Sequence, residues 1–182
     1  ASTMQLSQLV DQLLLLGRAD RELLTEAKRL NVQALVEKAL GDLGEPWIDR
    51  VVWSLDIDEA CAITGDYTLL TVAMRNILEN AAKYAPADSA VHVQATDKNG
   101  QVCISIHNEL LEAQTLELER FTDRFFRSPS HLQLPGTGLG LSIVQQIADL
   151  HHASLTLKQP TPLQLTVSLI FPAVAPSHSL LE

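Results

Sequence analysis

Four stretches of the chain repeat apolar side chains at the three- and four-residue spacing of an α-helix. They cover residues 4–20, 32–43, 67–84 and 139–152. The third stretch is the clearest, and its apolar positions share one helical face: Leu70, Met74, Ile77 and Ala81. The opposite face, expected to meet water, carries Thr71, Arg75 and Glu79. Asn31 and Asp66 stand where a side chain caps the first turn of the second and third helices.

Five other stretches are typical of β-strands: residues 51–57, 91–96, 102–106, 154–158 and 163–171. In the second and third of these, small or branched apolar residues alternate with polar ones. The Asn99-Gly100 pair between them is a strong signal for a tight hairpin turn. Helices mixed with neighbouring strand pairs predict an α+β fold, in which helices cover one face of a mixed, mostly antiparallel sheet. A short helix within residues 4–20 precedes this body.

Length and composition limit the class of protein. The 182 residues, 46% hydrophobic and 19% charged, suit one globular domain with an appendage. The formal charge of −9, from 13 basic and 22 acidic residues, argues against nucleic-acid binding. Cys61 and Cys103 form no Cys-x-x-Cys pair, so the sequence indicates neither a zinc site nor a disulfide framework. No apolar run approaches the ~20 residues of a membrane helix, and no direct membrane contact is expected.

Four polar side chains lie together on one flank of the helix predicted over 67–84: Asn76, Asn80, Lys83 and Tyr84. Amide oxygens suit a hard cation such as Mg²⁺, and a lysine ammonium suits a phosphate group. A simpler interpretation is that these are ordinary residues at the boundary between core and solvent. Glu79 likewise has a simple interpretation, because it lies four residues after Arg75 and can pair with it.

A glycine-rich run leads into the helix predicted over 139–152: Gly136, Thr137, Gly138, Leu139 and Gly140. Glycines let the backbone approach a phosphate, and a helix N-terminus offers free N–H groups. The run is neither a dinucleotide-binding fingerprint nor a P-loop, because no strand directly precedes it and no Lys-Ser/Thr pair follows. Upstream, residues 121–127 combine phenylalanines with Arg124 and Arg127, which either reach an anion or are solvated on a surface loop.

Taken together, these motifs resemble the catalytic and ATP-binding domain of sensor histidine kinases, in the ATPase superfamily that includes gyrase, Hsp90 and MutL. Residues 76–84 resemble the N box of that family, residues 121–127 its F box, and residues 136–141 its G2 box. The motifs occur in the family's order, and the resemblance extends over about residues 30–171. It implies a two-layer α/β sandwich of the Bergerat type that binds ATP and Mg²⁺ between the N-box helix and a lid over about residues 118–135.

The resemblance also implies roles for individual residues. Asn80 would hold Mg²⁺ through its side-chain oxygen, and Asn76 would support it. Lys83 and Tyr84 would contact the nucleotide, and the G2 glycines would meet the phosphates. Arg127 is a further candidate for phosphate binding.

One motif departs from the family's pattern. The G1 box, Asp-x-Gly-x-Gly after the second hairpin strand, is degenerate here, and His107 is expected where the family has its adenine-binding aspartate. Asn108 can donate and accept at the adenine edge. Glu109 and Leu111 are expected in place of glycines, where side chains would crowd the ligand. Since losing a hydrogen bond to a buried base costs ~1–3 kcal/mol, we expect nucleotide binding about ten- to hundredfold weaker, or altered.

A second departure concerns the phosphoacceptor, because none of the 6 histidines has the family's His-Glu/Asp-x-x-Thr/Asn-Pro context. The chain is therefore expected to be a fragment of a longer kinase. Residues 1–22 would end its dimerisation and phosphoacceptor module, residues 23–172 would form the ATP-binding domain, and residues 173–182 a flexible tail. Expected partners are the missing module, a response regulator and a second copy of the full-length protein. The domain is expected on the cytoplasmic side of an inner-membrane sensor.

The leading functional hypothesis is transfer of the γ-phosphoryl group of Mg-ATP to a histidine on the missing module, for onward signalling. One alternative is a degenerate domain that binds nucleotide weakly or not at all and acts as a regulatory or interaction module. Another is a hydrolytic ATPase of the gyrase or Hsp90 kind, which uses a glutamate one turn before the magnesium asparagine. Asn76 stands at that place and is a poor base, so hydrolysis ranks last.

Overall fold

The computed structural model describes residues 27–123 and 138–173, together with Val10, Leu14 and Gly17, which have helical backbone. Most of the helix expected over residues 4–20 lies outside the described residues. The same is true of the tail from residue 174 and of three candidate site residues: Arg127, Gly136 and Thr137. No helix in the described part is long and apolar enough to cross a membrane.

The described ranges contain four α-helices and one 3₁₀ helix: α1 (Val32–Gly41), α2 (Trp47–Arg50), α3 (Tyr67–Tyr84), α4 (Gly140–Leu150) and the 3₁₀ helix Leu118–Arg120. Both predicted caps form. Asn31 accepts a hydrogen bond from the backbone of Ala34 at 2.9 Å, and Asp66 accepts one from Leu69 at 2.8 Å. The predicted helix over 67–84 is confirmed with the same limits, and the one over 139–152 is confirmed in slightly shorter form.

The same ranges contain seven strands: β1 (Lys28–Asn31), β2 (Val52–Ile57), β3 (Ala62–Gly65), β4 (Ala90–Lys98), β5 (Gln101–Glu109), β6 (Ser154–Thr161) and β7 (Gln164–Phe171). The large sheet has the order β2-β4-β5-β7-β6, in which β2 runs parallel to β4 and the other neighbours are antiparallel. β1 and β3 form a separate antiparallel pair. The expected α+β fold with a mixed, mostly antiparallel sheet is confirmed.

The helices pack on one face of the large sheet and leave its other face open. The helix-facing residues of β5 are buried: Val102, Ile104 and Ile106. The predicted apolar face of α3 is also confirmed, since all four of its residues are buried: Leu70, Met74, Ile77 and Ala81. Thr71, expected to meet water, is buried as well, because α1 packs beside α3. Its hydroxyl donates to the Tyr67 carbonyl at 2.7 Å.

α3 and α4 lie side by side and run in opposite directions. At one end, the N–H of Asp66 before α3 donates at 3.0 Å to Nε2 of His151, which follows α4. Nδ1 of His151 donates to the Ile147 carbonyl at 2.7 Å, so this single ring connects the two helix ends. At the opposite end, the start of α4 reaches the last turns of α3, which places the predicted N-box and G2 residues side by side.

Candidate functional site

The carboxamide of Asn80 lies against the first residue of α4. A Cβ atom placed on Gly140 would be 3.6 Å from Nδ2 and 3.8 Å from Oδ1 of Asn80, which is ordinary van der Waals contact. Asn80 is half-buried near the end of α3, and Gly140 is half-buried at the start of α4. Two motifs that are far apart in the sequence are therefore neighbours in space.

Asn76 lies one turn before Asn80 on the same helix and is more deeply buried, at 8% exposure. Its Nδ2 group is the one buried side-chain nitrogen or oxygen in the described part of the chain that has no hydrogen-bond partner. Leaving a buried donor unsatisfied costs about 1–3 kcal/mol, so such a group calls for a ligand or a water molecule. An unpaired amide one turn from Asn80 therefore indicates a place where a polar ligand completes the structure.

Lys83 and Tyr84 end α3 next to these amides. Lys83 is buried at 5% exposure, and its Nζ lies 5.3 Å from the centre of the Tyr84 ring. An ammonium at this distance from an aromatic ring is stabilised by the negative potential of the ring face. A positive charge on Lys83 would attract an anionic ligand strongly at this buried position, because little solvent screens it.

The chain enters α4 with a geometry that suits an anion. Gly138 has a φ of 72°, a left-handed conformation that strongly favours glycine. Leu139, the residue before the helix, is buried, and its side chain makes no capping hydrogen bond to the first turn. Of the residues predicted for this loop, Gly140 lies beside Asn80, and Gly138 and Leu139 directly precede it in the chain.

His107, expected at the adenine position, lies on the opposite face of the sheet from this group. Side chains alternate along β5, and Asn108 shares the helix-facing side with buried Ile104 and Ile106. His107 projects from the opposite face, where its Nδ1 shares a 2.8 Å hydrogen bond with Thr166 Oγ1. Burial, and secondarily the charge of nearby His92, lower the pKa of His107 below its usual value.

Asn108 is the member of this pair that faces the helices. It is buried at 5% exposure, and its Nδ2 donates to the Glu109 carbonyl at 2.8 Å. β5 continues through Glu109. Both Glu109 and Leu111 are exposed, whereas their side chains were expected to crowd the ligand on the helix side of the sheet. Leu110 between them is buried and donates its N–H to the Leu163 carbonyl at 2.8 Å.

Sequence reasoning missed two side chains that position α3. His151 joins the start of α3 to the end of α4, as described above. Arg50 in α2 donates to the carbonyls of Ala82 and Ala85 at 3.0 and 3.1 Å, and so satisfies backbone acceptors at the end of α3. Both contacts join residues far apart in the sequence, and no local pattern signals them.

The fold and this pairing of helix-borne amides with a glycine-rich helix start define a class of ATP-binding protein. Residues 65–175, more than half of the chain, match the family described as histidine kinase-, DNA gyrase B- and HSP90-like ATPases. The chain belongs to this family.

Among curated proteins, the chain is 29% identical over 157 residues to the sensor protein kinase PmrB of Pseudomonas aeruginosa PAO1, covering 86% of the chain and 33% of PmrB. It is 34% identical over 153 residues to the sensor protein QseC of Escherichia coli K12, covering 80% of the chain and 32% of QseC. The chain spans about a third of the length of these relatives.

Among solved structures, the mycobacterial sensor histidine kinase MprB aligns with a TM-score of 0.71 at 25% identity, over 80% of this chain and 97% of that one. The catalytic domain of histidine kinase ThkA aligns with a TM-score of 0.69 at 20% identity, over 83% of this chain and 100% of that one, and shows the shared fold. The predicted family is thereby confirmed: this is an ATP-binding domain of the sensor histidine kinase type.

Proposed function

We propose that the domain binds Mg-ATP between α3 and α4 and transfers the γ-phosphoryl group to a histidine on a separate helical module. The observation that carries this proposal is the contact between Asn80 and Gly140, with the unpaired amide of Asn76 beside it. Together they put side-chain amide oxygens, which can coordinate Mg²⁺, close to a helix N-terminus that suits phosphate.

The residues present fit a magnesium ion. Asn80 would hold it through Oδ1, and Asn76 would complete its own hydrogen bonding with the hydrated ion or the nucleotide. A single protein oxygen leaves positions for phosphate oxygens and water, which is how Mg²⁺ is usually held in nucleotide sites. When bound, the ion would neutralise charge on the phosphate groups during transfer.

The phosphate groups would lie over the start of α4. Leu139 gives this helix no side-chain cap, and Gly138 shapes the backbone that leads into the first turn. Lys83 supplies positive charge from α3, and Tyr84 lies beside it. Arg127 is proposed to reach the phosphates from the lid side, and Gly136 is proposed to meet them with the other glycines of the G2 box, as the family resemblance implies.

Asn108 is the residue we propose for base recognition. Because its Nδ2 is engaged by the Glu109 carbonyl, Oδ1 is left to accept a hydrogen bond. The exocyclic amine of adenine offers a donor there, whereas guanine presents an acceptor at the same edge and would be rejected. This amide is a weaker acceptor than the carboxylate of the family's G1 box, so moderate affinity is expected.

The identity of residue 76, an asparagine and not a carboxylate, indicates which kind of group accepts the phosphoryl group. Asn76 stands one turn before Asn80, where a hydrolytic relative needs a carboxylate, and an amide cannot take a proton from water. The acceptor must therefore be nucleophilic without help, as a neutral imidazole is. We propose that this histidine, a response regulator that receives the phosphoryl group, and a dimeric arrangement belong to the full-length protein, and that the domain lies in the cytoplasm, where ATP is supplied.

Isothermal titration of the 182-residue chain with Mg-ATP tests the proposal. Wild type should bind with a micromolar to millimolar dissociation constant, and Asn80→Ala should bind at least tenfold more weakly. Gln33→Ala removes a helix-borne amide from α1, on a different part of the molecule, and should leave affinity unchanged.

Two results would contradict the assignment. Equal binding by wild type and Asn80→Ala would place the nucleotide elsewhere, and no binding at millimolar Mg-ATP would support the degenerate module instead. The family match and the adjacent motifs do not favour that alternative. Steady-state ATP hydrolysis by the chain alone, abolished in Asn80→Ala, would instead support a hydrolytic enzyme.

A further inference from the structure

The open face of the large sheet carries two histidines side by side on neighbouring strands. His92 on β4 and His107 on β5 are directly paired across the antiparallel ladder, and both line a cavity of about 540 Å³. Glu109, Gln94 and Thr166 also contribute to its wall. Asn108, the residue proposed for base recognition, also lines this cavity, but His92 and His107 project from the face of the sheet opposite α3 and α4.

The spacing of the two rings suits a shared ligand. Directly opposed residues of an antiparallel pair have Cβ atoms about 4.5–5.5 Å apart, with side chains on the same face. An imidazole nitrogen binds zinc at about 2.0–2.1 Å, so two rings that start this close can converge on one ion. His92 is exposed and free to adjust its rotamer, while His107 is half-buried and provides the fixed side.

The hydrogen bond to Thr166 orients His107 for this role. Its Nδ1 lies 2.8 Å from Thr166 Oγ1, and in the tautomer in which Nδ1–H donates to this oxygen the lone pair of Nε2 is left for a metal ion. Metal-binding histidines usually carry such a bond on the nitrogen that does not face the metal, because it fixes the ring and its tautomer.

We propose that His92 and His107 bind one borderline divalent cation, of the zinc or copper class, with Thr166 as the positioning residue. No group of three or more histidine, cysteine, aspartate or glutamate side chains suited to a metal occurs in the described ranges. Water therefore completes the coordination, and the ion exchanges readily, unlike a four-ligand structural zinc. Two imidazoles favour such a cation over the oxygen-preferring Mg²⁺ of the nucleotide site.

Isothermal titration with Zn²⁺, with no nucleotide present, tests this site. Wild type should bind one ion with micromolar affinity, and a large excess of Mg²⁺ should not displace it. His92→Gln and His107→Gln should each weaken binding at least tenfold. Thr166→Val keeps both imidazoles and should weaken binding about tenfold, since it removes only the orienting bond.

His152→Asn is the matched control. His152 is exposed on the turn after α4 with a φ of 53°, a conformation that asparagine tolerates. This variant should bind Zn²⁺ as wild type does, and the ring signals of His92 and His107 should shift in NMR spectra on addition of Zn²⁺. The proposal is overturned by absence of binding at millimolar Zn²⁺, by unchanged affinity in either histidine-to-glutamine variant, or by equal loss in His152→Asn.

Discussion

Asn80 and Gly140 approach so closely that one methyl group added to Gly140 would contact the Asn80 carboxamide. Glycine is an unfavourable residue within a helix, by about 1 kcal/mol relative to alanine. Its presence at the start of α4 therefore costs some stability and keeps the space beside the amide open. A ligand that needs this space accounts for a glycine at position 140 better than helix packing does.

Replacing Gly140 with alanine separates packing from ligand binding. The new Cβ fits at 3.6 Å from Nδ2 of Asn80, so Gly140→Ala should unfold at the same temperature as wild type or slightly higher. Its affinity for Mg-ATP should fall about tenfold, because the methyl group occupies the approach to the amide. Thermal unfolding and nucleotide titration of the same sample measure both effects. Gly44→Ala, which meets open space, serves as control, and unchanged affinity in Gly140→Ala would contradict the site.

Because Nδ2 of Asn76 is buried without a partner among the described residues, replacing Asn76 should raise the stability of the protein and weaken its binding of Mg-ATP. Asn76→Leu removes a buried donor that has no partner in the described part of the chain. The unliganded variant should be more stable by about 1 kcal/mol in urea unfolding, because the cost of the unsatisfied group disappears. Its Mg-ATP affinity should fall at least tenfold. A variant that is both less stable and equally tight in binding would show that this amide has a purely structural role.

Restoring a carboxylate at Asn108 should strengthen binding of adenine nucleotides. A carboxylate accepts a hydrogen bond more strongly than an amide, so Asn108→Asp should raise ATP affinity about tenfold. His107→Asp places the same charge on the opposite face of β5 and should leave affinity unchanged. Titration with ATP and GTP compares the two variants. A gain for His107→Asp, with none for Asn108→Asp, would reverse the assignment of base recognition.

These two neighbouring residues also show the limit of the sequence pattern. The hairpin and its apolar alternation were predicted correctly, but the end of β5 was not, because the strand continues through Glu109. Since side chains alternate along a strand, an error of one residue transfers a side chain to the other face of the sheet. Only the register with β4 and β7 decides which residue faces the helices.

The long helix was predictable because its periodicity, cap and terminator agree, as Asp66 and Pro86 illustrate. β1, β3 and α2 were missed for the opposite reason. Each has only four residues, and the KRLN stretch of β1 is mostly exposed and lacks alternation. Its pairing with β3 joins distant segments, so the tertiary fold and not local preference defines these elements.

Stability should depend on pH through His107. The folded protein lowers the pKa of this ring, mainly by burial, so the unfolded chain binds the proton more tightly. Stability from this group is therefore complete above the unfolded value of 6.5 and is lost as the pH falls through the lower, folded value. His107→Gln should show a smaller loss of urea stability than wild type between about pH 7.5 and about pH 5. An equal loss in both proteins would contradict this, and His152→Asn provides the matched histidine control.

Gly65 is required for the connection between α3 and α4. A Cβ atom there would lie 2.6 Å from Cδ2 of His151 and 2.6 Å from Cδ1 of Leu70, so both side chains must move. Gly65→Ala should therefore lower the free energy of unfolding by about 1–3 kcal/mol, measured in urea. It should also weaken Mg-ATP binding, since displacing His151 loosens its bond to the Asp66 N–H and the alignment of the two helices.

The effect should be coupled to the histidine itself. His151→Ala makes room for the new methyl group, so the double variant should lose less stability than the sum of the two single losses. Gly41→Ala, at the end of α1, brings the new Cβ within 4 Å of nothing outside its own helix backbone and should not lower stability. Strict additivity of the Gly65 and His151 changes would show that Leu70, and not the histidine, resists the substitution.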